Sequence, residues 1–161
     1  ISPIAENDTL DIYIVSDRLK ATKGTLDIRV MDLRGNLLFE KKKNVTLPPN
    51  TSKIQFSAPV KNVLGGKKPN EVFVNARFTE NGKEGKIVTN NYFFDRYKNI
   101  DFSSDVFARG VFLSLDGIDN FFSDNYFDLL PGEPVTIHVT TSLDKDTFDK
   151  QLRSESLADT Y

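Results

Sequence analysis

Apolar and polar residues alternate with a period of two through much of the N-terminal part of this chain. Leu10, Ile12 and Ile14 are separated by polar or amphipathic residues, and the same spacing returns at 26–30 and 72–78. Successive side chains of a β-strand point to opposite faces, so this spacing places the apolar side chains on one face of a sheet. The chain is therefore predicted to be all-β, with sheets that bury one face each.

Turn-forming residues separate the alternating runs. They are Arg34-Gly35-Asn36, Pro48-Pro49-Asn50, Gly65-Gly66 and Asn81-Gly82. An Asn-Gly pair between two such runs favours a hairpin, so we expect 71–79 to pair with 85–94. Strands that recur at about 8–12 residue spacing with turns of this kind indicate a β-sandwich.

Helical patterns are scarce. None is expected before residue 140, whereas 142–148 predicts one capped helical turn with Phe148 facing inward. The tail, 152–161, alternates weakly and predicts a closing edge strand.

Composition excludes several classes of protein. The 161 residues are 39% hydrophobic and 27% charged, which is typical of a globular chain. With 21 basic and 23 acidic residues, there is no basic surplus for nucleic acid. No apolar run approaches the roughly 20 residues of a membrane helix. The absence of cysteine excludes thiol catalysis, disulfides and thiolate zinc sites.

A polar stretch divides the chain. Residues 95–99 and 103–105 are polar and precede a new apolar run, so we expect domains at 1–97 and 98–161. The second would have only about 60 residues, whereas an immunoglobulin-like sandwich takes about 100. It is therefore expected to lack a pair of strands. Because the sequence begins at Ile1 rather than Met, we also expect a fragment or a processed product.

His138 is the only histidine, so a Ser–His–carboxylate triad would have to use it. It lies in the predicted strand 135–140, with Thr136 and Thr140 on the same polar face. This position favours a solvated strand residue over a general base, and no further histidine or cysteine exists for zinc. We therefore predict no catalytic residue, no metal site and no cofactor in this chain.

Five carboxylates cluster in the C-terminal part. A glycosidase needs two carboxylates that flank one bond, and calcium prefers oxygen ligands on loops. Asp and Glu on turns more often bond the nearby backbone, and this structural interpretation is favoured over both alternatives. The five residues are Asp116, Asp119, Asp124, Asp128 and Glu133.

The chain has 13 phenylalanines, five tyrosines and no tryptophan. Phenylalanine has no polar group and is mostly found in cores and interfaces. Sugar-binding modules stack pyranose rings on exposed aromatic side chains, so three tyrosines are candidate platform residues. These are Tyr92, Tyr97 and Tyr126. For most of the aromatic residues, a position in the core is favoured over a sugar-binding role.

The segment 122–133 has an unusual order of residues. Aromatic and leucine side chains surround Ser123-Asp124-Asn125, and the segment closes on Pro131-Gly132. Asp and Asn bond the nearby backbone and Pro-Gly suits a tight reversal, so it predicts an aromatic-anchored corner between strands.

This segment, together with 106–113, closely resembles the extreme C-terminal immunoglobulin-like domain of β-mannosidases of glycoside hydrolase family 2. The ending 156–161 is similar to the natural C-terminus of that family. Upstream, 25–35 and 91–94 resemble the preceding immunoglobulin-like domain. The resemblance covers nearly the whole chain and implies two immunoglobulin-like β-sandwich domains in tandem.

Enzymes of this family release terminal β-linked mannose with retention, and their two catalytic glutamates belong to a (β/α)8 barrel. No such barrel is present here, so no catalytic residue carries over. The resemblance implies a non-catalytic accessory region that packs on the barrel or on a second subunit, in a bacterial periplasmic or secreted enzyme. The alternatives are a carbohydrate-binding module for a mannan-type glycan and a stand-alone adhesion module.

The sequence departs from the family at one place. The family normally has a further strand pair where Ile100-Asp101-Phe102-Ser103 bridges the two domains almost directly. We expect residues of a hairpin to be missing between Ile100 and Phe102. A Cα separation there that is too long for normal peptide bonds, which keep neighbours about 3.8 Å apart, would support this.

Overall fold

The computed structural model of the chain describes residues 1–82, 85–96, 99–100 and 107–160. The chain forms two compact units, Ile1–Asp101 (unit 1) and Phe102–Tyr161 (unit 2). The sheets of both units are antiparallel and helices are few, which confirms the all-β fold class. The domain bounds 1–97 and 98–161 stay a prediction, and the expected break between Ile100 and Phe102 lies outside the described residues.

The described part of unit 1 contains two sheets, ordered β1-β2-β5 and β4-β3-β6-β7. A one-turn helix, α1 (Val60–Val63), and a 3₁₀ turn, Pro69–Glu71, lie between β5 and β6. The strands are β1 (Ser2–Glu6), β2 (Thr9–Ser16), β3 (Thr22–Asp32), β4 (Leu37–Leu47), β5 (Thr51–Pro59), β6 (Val72–Glu80) and β7 (Ile87–Phe93).

The core of unit 1 is built from the alternating apolar positions. Their side chains are buried, and they form one cluster with residues from both sheets. The predicted hairpin is also confirmed, since β6 pairs with β7 from Phe73 opposite Phe93 to Thr79 opposite Ile87. The cluster includes Leu10, Ile12, Ile14, Leu26, Ile28, Val30, Val72, Val74, Ala76 and Phe78.

The expectation of no helix before residue 140 is wrong at α1. This helix follows Pro59 and places Val63, which is fully buried, in the core of unit 1. Four residues are too few to show a helical period in the sequence, so the tertiary contact of Val63 decides the conformation.

The turn after β3 is organised by one carboxylate. Asp32 Oδ1 accepts hydrogen bonds from the backbone N–H groups of Arg34, at 3.0 Å, and Asn36, at 2.9 Å. Asp32 Oδ2 accepts one from the side-chain amide of Asn36 at 2.9 Å and lies 3.7 Å from Lys67 Nζ. Burial raises the pKa of Asp32, but these hydrogen bonds and Lys67 outweigh it, so the pKa lies below its ordinary value.

One lysine joins the two sheets of unit 1. Lys43 lies opposite Leu26, which is a core residue, and its Nζ donates to the backbone carbonyl of Gln55 at 2.8 Å. The β2–β5 ladder shifts register between Ile12 and Tyr13, opposite Gln55. The ammonium group therefore satisfies a carbonyl at a β-bulge, where ladder pairing is disrupted.

The described part of unit 2 also contains two sheets, ordered β10-β8-β12 and β11-β9. A helix, α2 (Lys145–Gln151), precedes β12, and a 3₁₀ turn, Leu157–Thr160, follows it. The strands are β8 (Ala108–Ser114), β9 (Asn120–Phe122), β10 (Phe127–Leu129), β11 (Val139–Thr141) and β12 (Arg153–Glu155).

The predicted elements of unit 2 are partly correct. A capped helix follows residue 142, but it begins at Lys145, with Asp144 accepting a hydrogen bond from the Thr147 N–H. Phe148 is half-buried. The tail forms an edge strand only at β12 and then turns into the 3₁₀ segment, because Asp159 Oδ2 accepts a hydrogen bond from the backbone N–H of Ser156.

The strand expected at 135–140 is wrong in its bounds, since β11 is confined to Val139–Thr141. Its partner β9 has three residues, and two further hydrogen bonds join His138 to Ser123. Beyond Ser123 the chain turns into the corner, so no residue of β9 lies opposite residues 135–137.

Candidate functional site

Three carboxylates of unit 2 have different partners. Asp116 forms an ion pair with Arg153 at 3.2 Å, and Asp128 Oδ1 accepts a hydrogen bond from the Gly110 N–H at 3.1 Å. Asp124 Oδ1 accepts one from the backbone N–H of Asn125 at 2.8 Å. Within the described residues, no group of three His, Asp or Glu side chains is placed to hold a metal ion. Only the contact of Asp124 is a turn contact of the predicted kind, since Asp116 and Asp128 bond to residues distant in the chain.

His138 is exposed, and its backbone is fixed to the corner. The Ser123 N–H donates to the His138 carbonyl at 2.8 Å, and the His138 N–H donates to Ser123 Oγ at 2.9 Å. The serine hydroxyl therefore bonds to the backbone of the histidine. This is the geometry of a strand end, and it differs from the hydroxyl–imidazole contact that activates a nucleophile.

The three candidate platform tyrosines have different surroundings. Tyr126 is 71% exposed, with its ring stacked on Phe112 at a centroid distance of 4.9 Å and an angle of 24°. Tyr92 is half-buried against the core of unit 1 and meets Phe94 edge-on at 5.6 Å. Tyr97 lies outside the described residues. Tyr126 and Tyr92 belong to different units, and Tyr126 has the more open ring.

The predicted corner between β9 and β10 is confirmed. Asn125 Oδ1 accepts a hydrogen bond from the Leu113 N–H at 2.7 Å, and its Nδ2 donates to the Leu113 carbonyl at 2.9 Å. The following residue, Tyr126, has a φ of 61°. At the Pro131-Gly132 turn, Gly132 has a φ of 73° and the Glu133 N–H bonds to the Leu130 carbonyl.

Unit 2 has an open apolar groove with a volume of about 1120 Å³. Side chains of both sheets and of α2 line the groove. Its charged lining residues include Lys145, Glu155 and Asp159. Few described hydrophobic side chains of unit 2 are buried, namely Phe107, Val111 and Leu115. The apolar lining includes Val111, Leu113, Phe122, Phe127, Val135, Ile137, Val139, Leu143, Phe148 and Leu152.

The groove was not predicted as a site. One indirect signal was present in the sequence, namely the small size expected for the second domain. The described part of the chain also has no helix long and apolar enough to cross a membrane.

Comparison with known families gives two matches. A model described as a mannosidase Ig/CBM-like domain matches residues 8–99, and one described as an Ig-fold domain matches residues 83–160. No curated protein matches the chain.

Among solved structures, the chain is similar to the β-D-mannosidase from Dictyoglomus thermophilum, with 19% identity and a TM-score of 0.75. The match covers 97% of this chain and 21% of that one, so the chain spans about a fifth of its relative. At this identity the likeness shows the fold. The β-glucuronidase of Bacteroides uniformis matches at 16% identity over 79% of this chain and 13% of that one, with a TM-score of 0.36, which is too low to support an argument.

Proposed function

Because the chain belongs to the mannosidase Ig/CBM-like domain family, we propose that it is a non-catalytic accessory region of a β-mannosidase. In this role it packs on the part of the enzyme that releases terminal β-D-mannose. The resemblance drawn from the sequence is confirmed at the level of the family.

One observation supports the proposal most directly: several side chains that could carry chemistry bond to other residues of unit 2. Asp116, Asp124 and Asp128 bond to Arg153 or to nearby backbone, and His138 is joined to Ser123 through its backbone. None of these contacts presents two carboxylates across a sugar bond, as a glycosidase requires. Catalysis would then belong to another part of the enzyme.

The partners follow from the same proposal. The rest of the parent enzyme, and in particular its barrel, is the expected binding partner, since the relative is about five times as long as this chain. Interfaces between domains of one chain are commonly moderate in size and partly polar. The proposed compartment is the bacterial periplasm or the outside of the cell, on the basis of the family resemblance alone.

Two measurements test the proposal. The purified chain, free of other hydrolases, should not cleave an aryl β-mannoside; turnover that copurifies with it would overturn the accessory role. Deletion of the region from the parent enzyme should lower the melting temperature of the remainder. An unchanged melting temperature would contradict packing of the region on the barrel.

A second candidate is a carbohydrate-binding module. The open, stacked ring of Tyr126 favours it, because such a ring is held in place and available to a pyranose. Calorimetric titration with manno-oligosaccharides should then show saturable binding that Tyr126→Ala removes and that Tyr13→Ala in unit 1 leaves intact. Absence of binding by the unmodified chain would reject this candidate.

A further inference from the structure

The outer face of the sheet β1-β2-β5 in unit 1 carries a contiguous apolar patch. Ile4 is 42% exposed, Val15 62% and Ile54 47%, so each keeps much of its side chain in solvent. Tyr13 lies directly opposite Ile54, and Val15 follows Tyr13 on the same face. Ile4 lies opposite Asp11, diagonal to Tyr13. Side chains at such positions are close enough to interact, so these four form one patch. Contiguous exposed apolar surface of this kind marks an interaction site.

The strand residues of this face include no lysine or arginine. Alternate residues of β2 point into the core, so the outward positions of all three strands follow from their register. Apart from the patch, these positions, all within the described residues, hold only serine, threonine, proline and the carboxylates Glu6 and Asp11. The outward face of the other sheet differs, since there Lys42 pairs with Asp27 at 3.5 Å. Absence of lysine favours an interface, where lysine is depleted relative to the rest of a surface.

One carboxylate on this face lacks a donor. Oδ1 of Asp11 is shielded from water and has no hydrogen-bond partner within the part of the chain that the structure describes. Asp11 lies between Ile4 on β1 and Ser57 on β5. A shielded carboxylate oxygen without a donor is unfavourable, and a basic group supplied by a partner would bond to it. The end of the face that holds Glu6 and Asp11 therefore favours a cationic partner.

We propose that unit 1 binds the catalytic part of the parent enzyme through this face. The facing surface is apolar opposite Tyr13 and Ile54, and it carries lysine or arginine opposite Glu6 and Asp11. The match to the structural relative covers 21% of that chain, so about four fifths of an enzyme of that length lies outside this region and can supply such a surface. The inference rests on the proposed accessory role and adds the surface through which the region acts.

Charge distinguishes this partner from other occupants. A second copy would bring Glu6 and Asp11 of both chains into one interface without lysine or arginine from either face, and the negative charges would repel. An anionic membrane surface would be repelled in the same way. A basic and partly apolar protein surface is complementary to both the carboxylates and the patch.

Substitutions in the intact parent enzyme test the proposal. Ile54→Glu should reproduce at least about half of the drop in melting temperature that deletion of the region causes, because it buries a charge in the interface. Asp11→Lys should also lower the melting temperature, since a lysine would then face basic groups. In the isolated chain both variants should keep the urea midpoint of unit 1, because neither side chain belongs to its core.

Ile87→Glu is the matched control. Ile87 is 60% exposed on β7 and lies opposite Thr79 in the other sheet of unit 1. The variant introduces the same charge at an exposed isoleucine outside the proposed interface. The melting temperature of the parent enzyme should therefore remain unchanged.

Deletion of the region without any effect on the melting temperature would overturn both the accessory role and this interface. A deletion effect that neither Ile54→Glu nor Asp11→Lys reproduces would overturn the interface alone, as would an equal effect of Ile87→Glu. An effect of Ile54→Glu without one of Asp11→Lys would contradict the basic partner. Sedimentation equilibrium of the isolated chain should give the 18.2 kDa of a monomer. A dimer that Ile54→Glu removes would assign the face to a second copy and overturn the proposal.

Discussion

The side-chain amide of Asn125 forms two hydrogen bonds with the backbone of Leu113, as donor and as acceptor, at 2.9 and 2.7 Å. A neighbouring strand residue would offer the same pair of groups to Leu113. The amide therefore replaces one step of the ladder beside β8 and fixes the corner between β9 and β10 to that strand.

Replacement of Asn125 by alanine should release this corner. The N–H and carbonyl of Leu113 would lose their partners, at a cost of about 2 kcal/mol, which corresponds to about a 30-fold change in a local opening equilibrium. Hydrogen exchange at the Leu113 amide should therefore accelerate by about that factor. Asp119→Ala, at an exposed residue nearby, is the control and should leave the exchange rate unchanged. Equal rates in both variants would show that Asn125 does not hold the corner.

The stability of unit 1 should depend on pH through Asp32. Its pKa is lowered in the folded chain by the hydrogen bonds of Asn36 and Arg34, which outweigh the effect of burial. The stabilisation is therefore complete above the unfolded pKa of about 3.9 and is lost as pH falls through the lower folded value. Asp32→Ala should cost about 2 kcal/mol at neutral pH, and its stability should lack this acid-dependent loss.

Urea denaturation of both proteins from neutral pH down to about pH 2 measures this difference. The difference in the free energy of unfolding between the unmodified chain and Asp32→Ala should become smaller as the pH falls. Asp32→Asn keeps an acceptor oxygen and removes the charge, so it separates the contribution of the hydrogen bonds from that of the negative charge. A gap that is constant over the whole range would exclude the carboxylate as its cause.

Lys43→Met should destabilise unit 1 by about 1 kcal/mol, because the Gln55 carbonyl loses its donor while the apolar stem of the side chain is retained. Lys41→Met is a close control, since Lys41 lies two residues earlier on the same face of β4 and is exposed. Urea midpoints of the two variants give the comparison. Similar midpoints would mean that the contact with Gln55 contributes nothing measurable.

Gly24→Ala should destabilise unit 1 by about 2 kcal/mol. A Cβ at Gly24 would overlap the ring of Phe78 and the backbone carbonyl of Thr79, and the backbone atom has little freedom to move. Lys23→Ala, at the exposed preceding residue, should have a much smaller effect. If thermal unfolding shows no difference between them, β3 and β6 are less tightly packed at this end than the structure indicates.

The sequence predicted those features that depend on local order. The alternation at 72–78 was sufficient to place Val74 and Ala76 in the core, and Asn81-Gly82 was sufficient for the β6–β7 hairpin. The composition of 122–133 likewise predicted a corner. Each of these signals involves residues close together in the chain.

Features that depend on distant residues were not predictable in this way. The length of β11 is set by β9, and α1 exists because Val63 reaches the core. Tyr92 and Tyr126 look alike in sequence, and only the tertiary structure shows that one ring packs on a core while the other is open. The groove depends on the number of strands in each sheet, which no single segment reveals.

Four of the strands in the described part of unit 2 have three residues each, and the side chain of Asn125 supplies part of the backbone pairing of the longer strand β8. Unit 1, in contrast, has long ladders and a continuous core. Heating should therefore give two endotherms in a calorimeter, with unit 2 melting first. A single melting temperature would describe neither half of the molecule.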